Sequence, residues 1–260
     1  MVDLSFPVRE LEYFLLVFAR VATFVFAAPF FSQKGVPNQV KIGLSVFVAY
    51  IMYAFVQPHT YPEYSTVFGY SVIIAKEVAV GLFLGAGAQL CTSIVLFAGR
   101  IIDMEIGLSM ANVFDPTTNQ QSSISGLFLQ YGVMLILFAT GLHRYLLAAL
   151  KETFTLIPIG GAVFHMDNLL VCVVGFLSDY IVIGFRICLP VFASIMLMNI
   201  VLGLLAKLAP QMNMFSIGMQ LKILVGFVVL YLIVFLLPNV ANYIFDEIKT
   251  MVKLVAEGLY

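Results

Sequence analysis

Long stretches without Lys, Arg, Asp or Glu dominate the chain, and short polar clusters punctuate them. A membrane-spanning helix needs about 20 mainly apolar residues, because the rise is about 1.5 Å per residue and the hydrocarbon layer about 30 Å thick. Val78–Gly99, Pro116–Leu142, Ile187–Ala206 and Ile223–Phe245 meet that requirement, although the second begins with polar, turn-like residues. Leu11–Phe31, interrupted by Arg20, predicts a further helix, and Ile42–Gln57 a shorter one. Another runs from about Asn168 to Phe185, contains Asp179 and ends against Arg186. Ile187 follows at once, so this region reads equally as a hairpin or as one helix bent near Pro190. Clusters of Gly, Pro and Asn at 32–41, 57–65 and 209–215 predict turns. The pattern predicts an all-α, membrane-type fold of six to seven long hydrophobic helices, organised as a single unit over 1–260.

Composition agrees. Hydrophobic residues make up 62% of the 260 and charged residues 10%, against about 45–50% and 25% in soluble domains. So little charge cannot cover a soluble globule, and the same numbers exclude disorder. The net charge is −1, and mean hydropathy is +1.05. No basic patch exists for nucleic acid. The acidic start MVDLSFPVRELEYF, with no small-residue cleavage site after it, argues against a cleavable leader. Cys91, Cys172 and Cys188 lie in apolar runs without metal-ligand spacing, and His59, His143 and His165 are scattered. No metal or cofactor is therefore expected.

Lys and Arg occur in nearly every connection, so the positive-inside bias gives no orientation. That blurring is expected if partner proteins, more than the bilayer, hold these helices. Ionisable residues within apolar helices are costly, about 2.5–3.5 kcal/mol each at the helix centre. Arg20 sits near the middle of its run, and Asp179 and Arg186 share nearly one helical face. Lys76 and Glu77 adjoin the start of the Val78 run, while Arg100, Asp103 and Lys222 stand near the ends of others. Two readings hold for this set: polar contacts between helices or subunits, or helix ends whose long side chains snorkel outward.

Gly81 and Gly85, with Ala88 on the same face, have the spacing that lets a neighbouring backbone approach closely. Between two strong helices lies GRIIDMEIGLSMANVFDPTTNQQSS, residues 99–123. Irregular backbone of this kind is tolerated at membrane depth only where protein covers it or it lines an aqueous cavity. An exposed loop is the plainer alternative. Gly107, Ser109, Ala111 and Asn112 supply small side chains, Met110 and Phe114 supply bulk, and Asp115-Pro116 starts a turn. No phosphate-binding loop, zinc motif or nucleophile motif is present, so an enzyme is not expected.

Three blocks resemble the FliR family, export-gate subunits of the flagellar type III secretion apparatus. FARVATFVFAAPFFSQKGVPNQVKIGLS at 18–45 carries Arg20, Pro29, Gly35, Pro37 and Lys41. GRIIDMEIGLSMANVFDP at 99–116 carries Gly99, Asp103, Gly107, Met110, Asp115 and Pro116. LLAKLAPQMNMFSIGMQLKILVG at 204–226 carries Pro210, Gln211, Asn213, Gly218 and Lys222. Met219-Gln220 stands where the family often has a proline.

The resemblance implies a non-enzymatic gate subunit without a cofactor, in the bacterial inner membrane at the flagellar basal body. Its implied partners are FliP, FliQ, FlhB and FlhA, with unfolded flagellar proteins in transit. It further implies a FliP-like part over about 1–185 and a FliQ-like helical hairpin over about 186–260. A pore-closing plug is implied at about Gly107–Ser123, with Gly107, Ser109, Met110, Ala111, Asn112, Phe114, Asp115 and Pro116 as its residues. Arg20, Glu77, Arg100, Asp103, Asp179, Arg186 and Lys222 are expected to make polar contacts between helices or subunits. The equivalent subunit of a virulence injectisome is the alternative of the same architecture. A small-solute transporter is the competing class, but the sequence has no half-to-half repeat.

Overall fold

A computed structural model describes residues 8–33, 35–56, 61, 62, 64, 66–110, 123–211 and 213–260. Among these the regular structure is entirely helical. The order is α1 (Val8–Ala27), α2 (Asn38–Phe55), α3 (Val67–Ile106), α4 (Ile124–Ala139), α5 (Leu142–Leu156) and α6 (Met166–Leu208), followed by α7 (Met214–Ile233) and α8 (Leu237–Gly258). A single 3₁₀ turn, Val234–Leu236, joins the last two. Pro238 accounts for that turn: it has no N–H to offer the Val234 carbonyl, which instead accepts from Leu237. Counting α7–α8 as one run, four helices among the described residues are long and apolar enough to cross a membrane (α2, α3, α6 and 216–258), and the bent pair α4–α5 would make a fifth if it is one span.

The chain forms two compact units. The first comprises Met1–Cys91, Gly141–Phe176 and Asp246–Tyr260; the second comprises Thr92–Thr140 and Leu177–Phe245. In the first, α1 buries Tyr13, Leu16, Val17, Arg20, Val21, Phe24 and Val25, a spacing of three and four that defines one helical face. Val80, Leu84 and Ala88 of α3 and Leu146 and Leu150 of α5 complete this core. The start of α6 meets the end of α8 there, where Cys172 Sγ lies 3.6 Å from Met251 Sδ. The second unit buries Ile94, Val95 and Ile102 of α3, Leu129, Val133 and Leu137 of α4, Val191 and Ile195 of α6, and Leu230 and Ile233 of α7.

Three elements depart from the sequence reading, and one alternative it left open is decided. Helix α3 begins at Val67 rather than near Val78, so Lys76 and Glu77 lie well inside it; paired charges do not end a helix. Residues 166–208 form one helix that passes through Pro190, so the single-helix alternative is the one realised. The final run continues past Phe245 to Gly258 as an amphipathic helix, burying Ile248, Met251, Val252 and Val255. Helix α5 was not expected at all. Its His143, Arg144, Lys151 and Glu152 break every charge-free window, yet Leu142, Leu146, Ala149, Leu150 and Thr153 line one buried face.

Candidate functional site

Two polar nodes organise the described residues, one in each unit. In the first unit Arg20 is fully buried on α1, and Glu77 fully buried on α3. Arg20 Nε donates to Glu77 Oε2 at 2.6 Å. Arg20 Nη1 donates to the carbonyls of Thr153 at 3.2 Å and Ile157 at 3.0 Å. Those carbonyls belong to the last turn of α5, the negative end of that helix's dipole, so the guanidinium also caps α5. The Phe154 ring lies 4.4 Å from the guanidinium carbon. Glu77 Oε1 accepts from the Gly160 N–H at 2.9 Å. Beside the pair, Lys76 Nζ donates to the Ala162 carbonyl at 3.2 Å. One ion pair thus ties α1, α3, α5 and the following loop together.

The helices are close enough for this because α3 presents glycines to α1. A Cβ at Gly81 would overlap the Arg20 carbonyl and the Thr23 hydroxyl, and one at Gly85 would come within 2.8 Å of Ala27 Cβ. Ala88 is fully buried one turn further on.

The second node lies at the base of the central loop. Asp103 is 5% exposed near the end of α3, and its Oδ1 accepts from the Ser125 N–H at 3.2 Å. The carboxylate therefore sits at the positive end of α4. Ser123 caps the same helix, its Oγ accepting from the Gly126 N–H at 2.8 Å. Gly99 and Gly126 meet backbone to backbone, and a Cβ on Gly99 would overlap Gly126 Cα. After Ile106 the chain leaves α3 through Gly107 at φ +93°, whose N–H and that of Ser109 both donate to the Asp103 carbonyl. Met110 is exposed. Ala111, Asn112, Phe114, Asp115 and Pro116 lie outside the described residues.

Of the other expected site residues, Asp179 and Arg186 are exposed on α6, and among the described residues neither makes an ion pair. Arg100 is exposed on α3. Lys222 is half-buried and lines a cavity of about 300 Å³ together with Glu105, Gly107, Ser109, Met110 and Asn199. The sequence reading missed Thr153, Ile157 and Gly160, which serve the ion pair through backbone atoms. Only recognition of α5 would have brought them into view. No group of His, Cys, Asp and Glu able to hold a metal occurs among the described residues.

The profile described as "Bacterial export proteins, family 1" matches residues 11–248. The flagellar biosynthetic protein FliR of Bacillus subtilis is 32% identical over 94% of this chain and 94% of its own. That of Pectobacterium carotovorum is 28% identical, over 93% and 91%. That of Escherichia coli is 27% identical, over 88% and 87%. A match spanning nearly the whole chain makes this chain a member of bacterial export protein family 1.

Proposed function

We propose that the chain is a structural, non-enzymatic subunit of the flagellar protein export gate in the bacterial inner membrane. It builds part of a helical channel with FliP and FliQ, contacts FlhB and FlhA, and passes unfolded flagellar proteins. In this reading about 1–185 plays the FliP-like part, and the hairpin from about 186 the FliQ-like part. The loop beginning at Gly107 closes the pore. Arg20, Glu77 and Asp103 hold helices in register, while Asp179, Arg186, Arg100 and Lys222 face neighbouring subunits.

One observation carries this reading. Helix α6 has 43 residues, and its most apolar window is only 22% buried. At about 1.5 Å per residue it is about 65 Å long, roughly twice the hydrocarbon thickness of about 30 Å. Leu170, Val174, Leu177, Leu189, Leu197, Ile200 and Leu204 are exposed along almost all of it. A bilayer crossed near its normal covers about half such a helix, so neighbouring protein must cover the rest. A self-sufficient solute carrier has no need of apolar helix surface that reaches so far beyond the hydrocarbon layer.

The test is complementation of a strain lacking the gene, with the wild-type chain and with residues 107–117 deleted. Wild type restores swimming and co-purifies with FliP and FliQ; the deletion raises ion leakage through the assembled gate. Unchanged leakage together with normal secretion refutes the plug role. A chain that purifies alone as a monomer and moves a small solute into liposomes refutes the gate role.

A further inference from the structure

At one end of the first unit a cavity of about 630 Å³ opens between the first turn of α1, the loop before α3 and the first turn of α3. Its walls include Arg9, Glu12, Tyr13, Tyr61, Tyr64 and Tyr70. Four phenol rings around one space are unusual enough to need a chemical reading. Tyr13 and Tyr61 meet edge to face at 5.7 Å, and Tyr64 and Tyr70 are tilted at 5.2 Å, so the rings form two braced pairs. Two of the hydroxyls are tied down. Tyr61 donates to Glu10 Oε1 at 2.6 Å and Tyr70 to the Glu12 carbonyl at 3.0 Å. A phenol that donates to a carboxylate has a more electron-rich ring, which suits it to a cation. The hydrogen bond to Glu10 holds the Tyr61 phenol above its usual range, and Glu12 beside Tyr64 holds that phenol up as well.

The two charges in the wall narrow the ligand. Arg9 and Glu12 are one turn apart on α1 and both line the cavity. A bare cation such as a lysine side chain would meet Arg9 as well as Glu12, and a bare anion the reverse. A ligand with a phosphate and an ammonium a few bonds apart satisfies both. The location agrees, since helix ends flanked by tyrosines are where a bilayer presents its headgroups.

We propose that this cavity binds a phosphoethanolamine group, its ammonium held by the tyrosine rings and Glu12 and its phosphate by Arg9. The group comes either from a phospholipid headgroup or from a soluble amino-phosphate. The proposal is independent of the export role.

The experiment is native mass spectrometry of the full-length chain in detergent, titrated with dioleoylphosphatidylethanolamine, with dioleoylphosphatidylglycerol, or with soluble phosphoethanolamine. The expected result is about tenfold preferential retention of the ethanolamine lipid over the glycerol lipid. Glu12→Gln and Arg9→Gln, each checked for wild-type helicity by circular dichroism, abolish that preference. Binding of soluble phosphoethanolamine with the same two dependences, without lipid retention, assigns the site to the free compound. Equal retention of the two lipids with no binding of the soluble compound overturns the proposal, as does an unchanged preference in Glu12→Gln. The wild-type comparison decides the matter by itself if a substitution prevents folding.

Discussion

The ion pair between Arg20 and Glu77 supports a prediction in which the two partners are unequal. Both side chains are fully buried, and deleting one member of a buried pair costs about 3–5 kcal/mol because the other is left uncompensated. In Arg20→Leu the stranded Glu77 keeps the Gly160 N–H, and a carboxyl can take up a proton to shed its charge. In Glu77→Leu the stranded guanidinium cannot lose its proton, and two carbonyls and the Phe154 ring are all that remain to it. Glu77→Leu should therefore fall at the upper end of that range and Arg20→Leu at the lower end. The double variant places two leucines where the pair was, and such replacements are often neutral. It should recover to within about 2 kcal/mol of wild type, giving a coupling energy of several kcal/mol. Denaturant midpoints of the four full-length chains in detergent, followed by far-ultraviolet circular dichroism, measure the cycle. Losses below about 1 kcal/mol in both single variants, or a double variant as unstable as their sum, would refute the reasoning. A gate that assembles normally on Arg20→Leu but fails to export would move Arg20 from a structural role into the transport path.

Gly99→Val should prevent α3 and α4 from meeting, because its side chain must occupy the position of Gly126 Cα; loss of the full-length chain from membranes is the readout, and normal accumulation would contradict it. Asp103→Ala leaves the buried Ser125 N–H without its side-chain acceptor, a loss of about 1–3 kcal/mol, and should raise ion leakage by loosening the base of the central loop. Ser123→Ala removes the α4 cap and should lower the denaturant midpoint by the equivalent of about 0.5–2 kcal/mol. Tyr61 and Tyr64 have raised phenol values in the folded chain. Their carboxylate neighbours therefore contribute stability that is present below the ordinary phenol value of about 10 and lost as pH rises through the raised one. Phenolate absorbance should show Tyr64 returning towards the ordinary value in Glu12→Gln, and an unshifted titration would contradict the influence of Glu12.

Hydropathy located most of α2, the middle of α3, all of α4 and the second half of α7, because those segments bury or expose apolar side chains on every side. It failed where a helix carries charge for a structural reason. Lys76 and Glu77 looked like a boundary because the sequence does not show that Arg20 and the Ala162 carbonyl await them. Helix α5 was hidden because an amphipathic helix has no charge-free window, although its apolar residues recur at helical spacing. Arg20 and Asp103 were legible as candidates, since an ionisable group in an apolar run needs a partner. Their partners were not, because Thr153, Ile157 and the Ser125 N–H act through backbone atoms that any residue type supplies.

Because Gly99 against Gly126 and Asp103 on the Ser125 N–H pin both feet of the central segment, its reach is that of a short leash. Roughly 16 residues, fully stretched at about 3.4 Å each and doubled back, extend no further than about 27 Å from the anchors. Under the proposed plug role, the pore must lie within this radius. Inserting residues in it widens the radius, whereas releasing either foot frees the segment from its anchors.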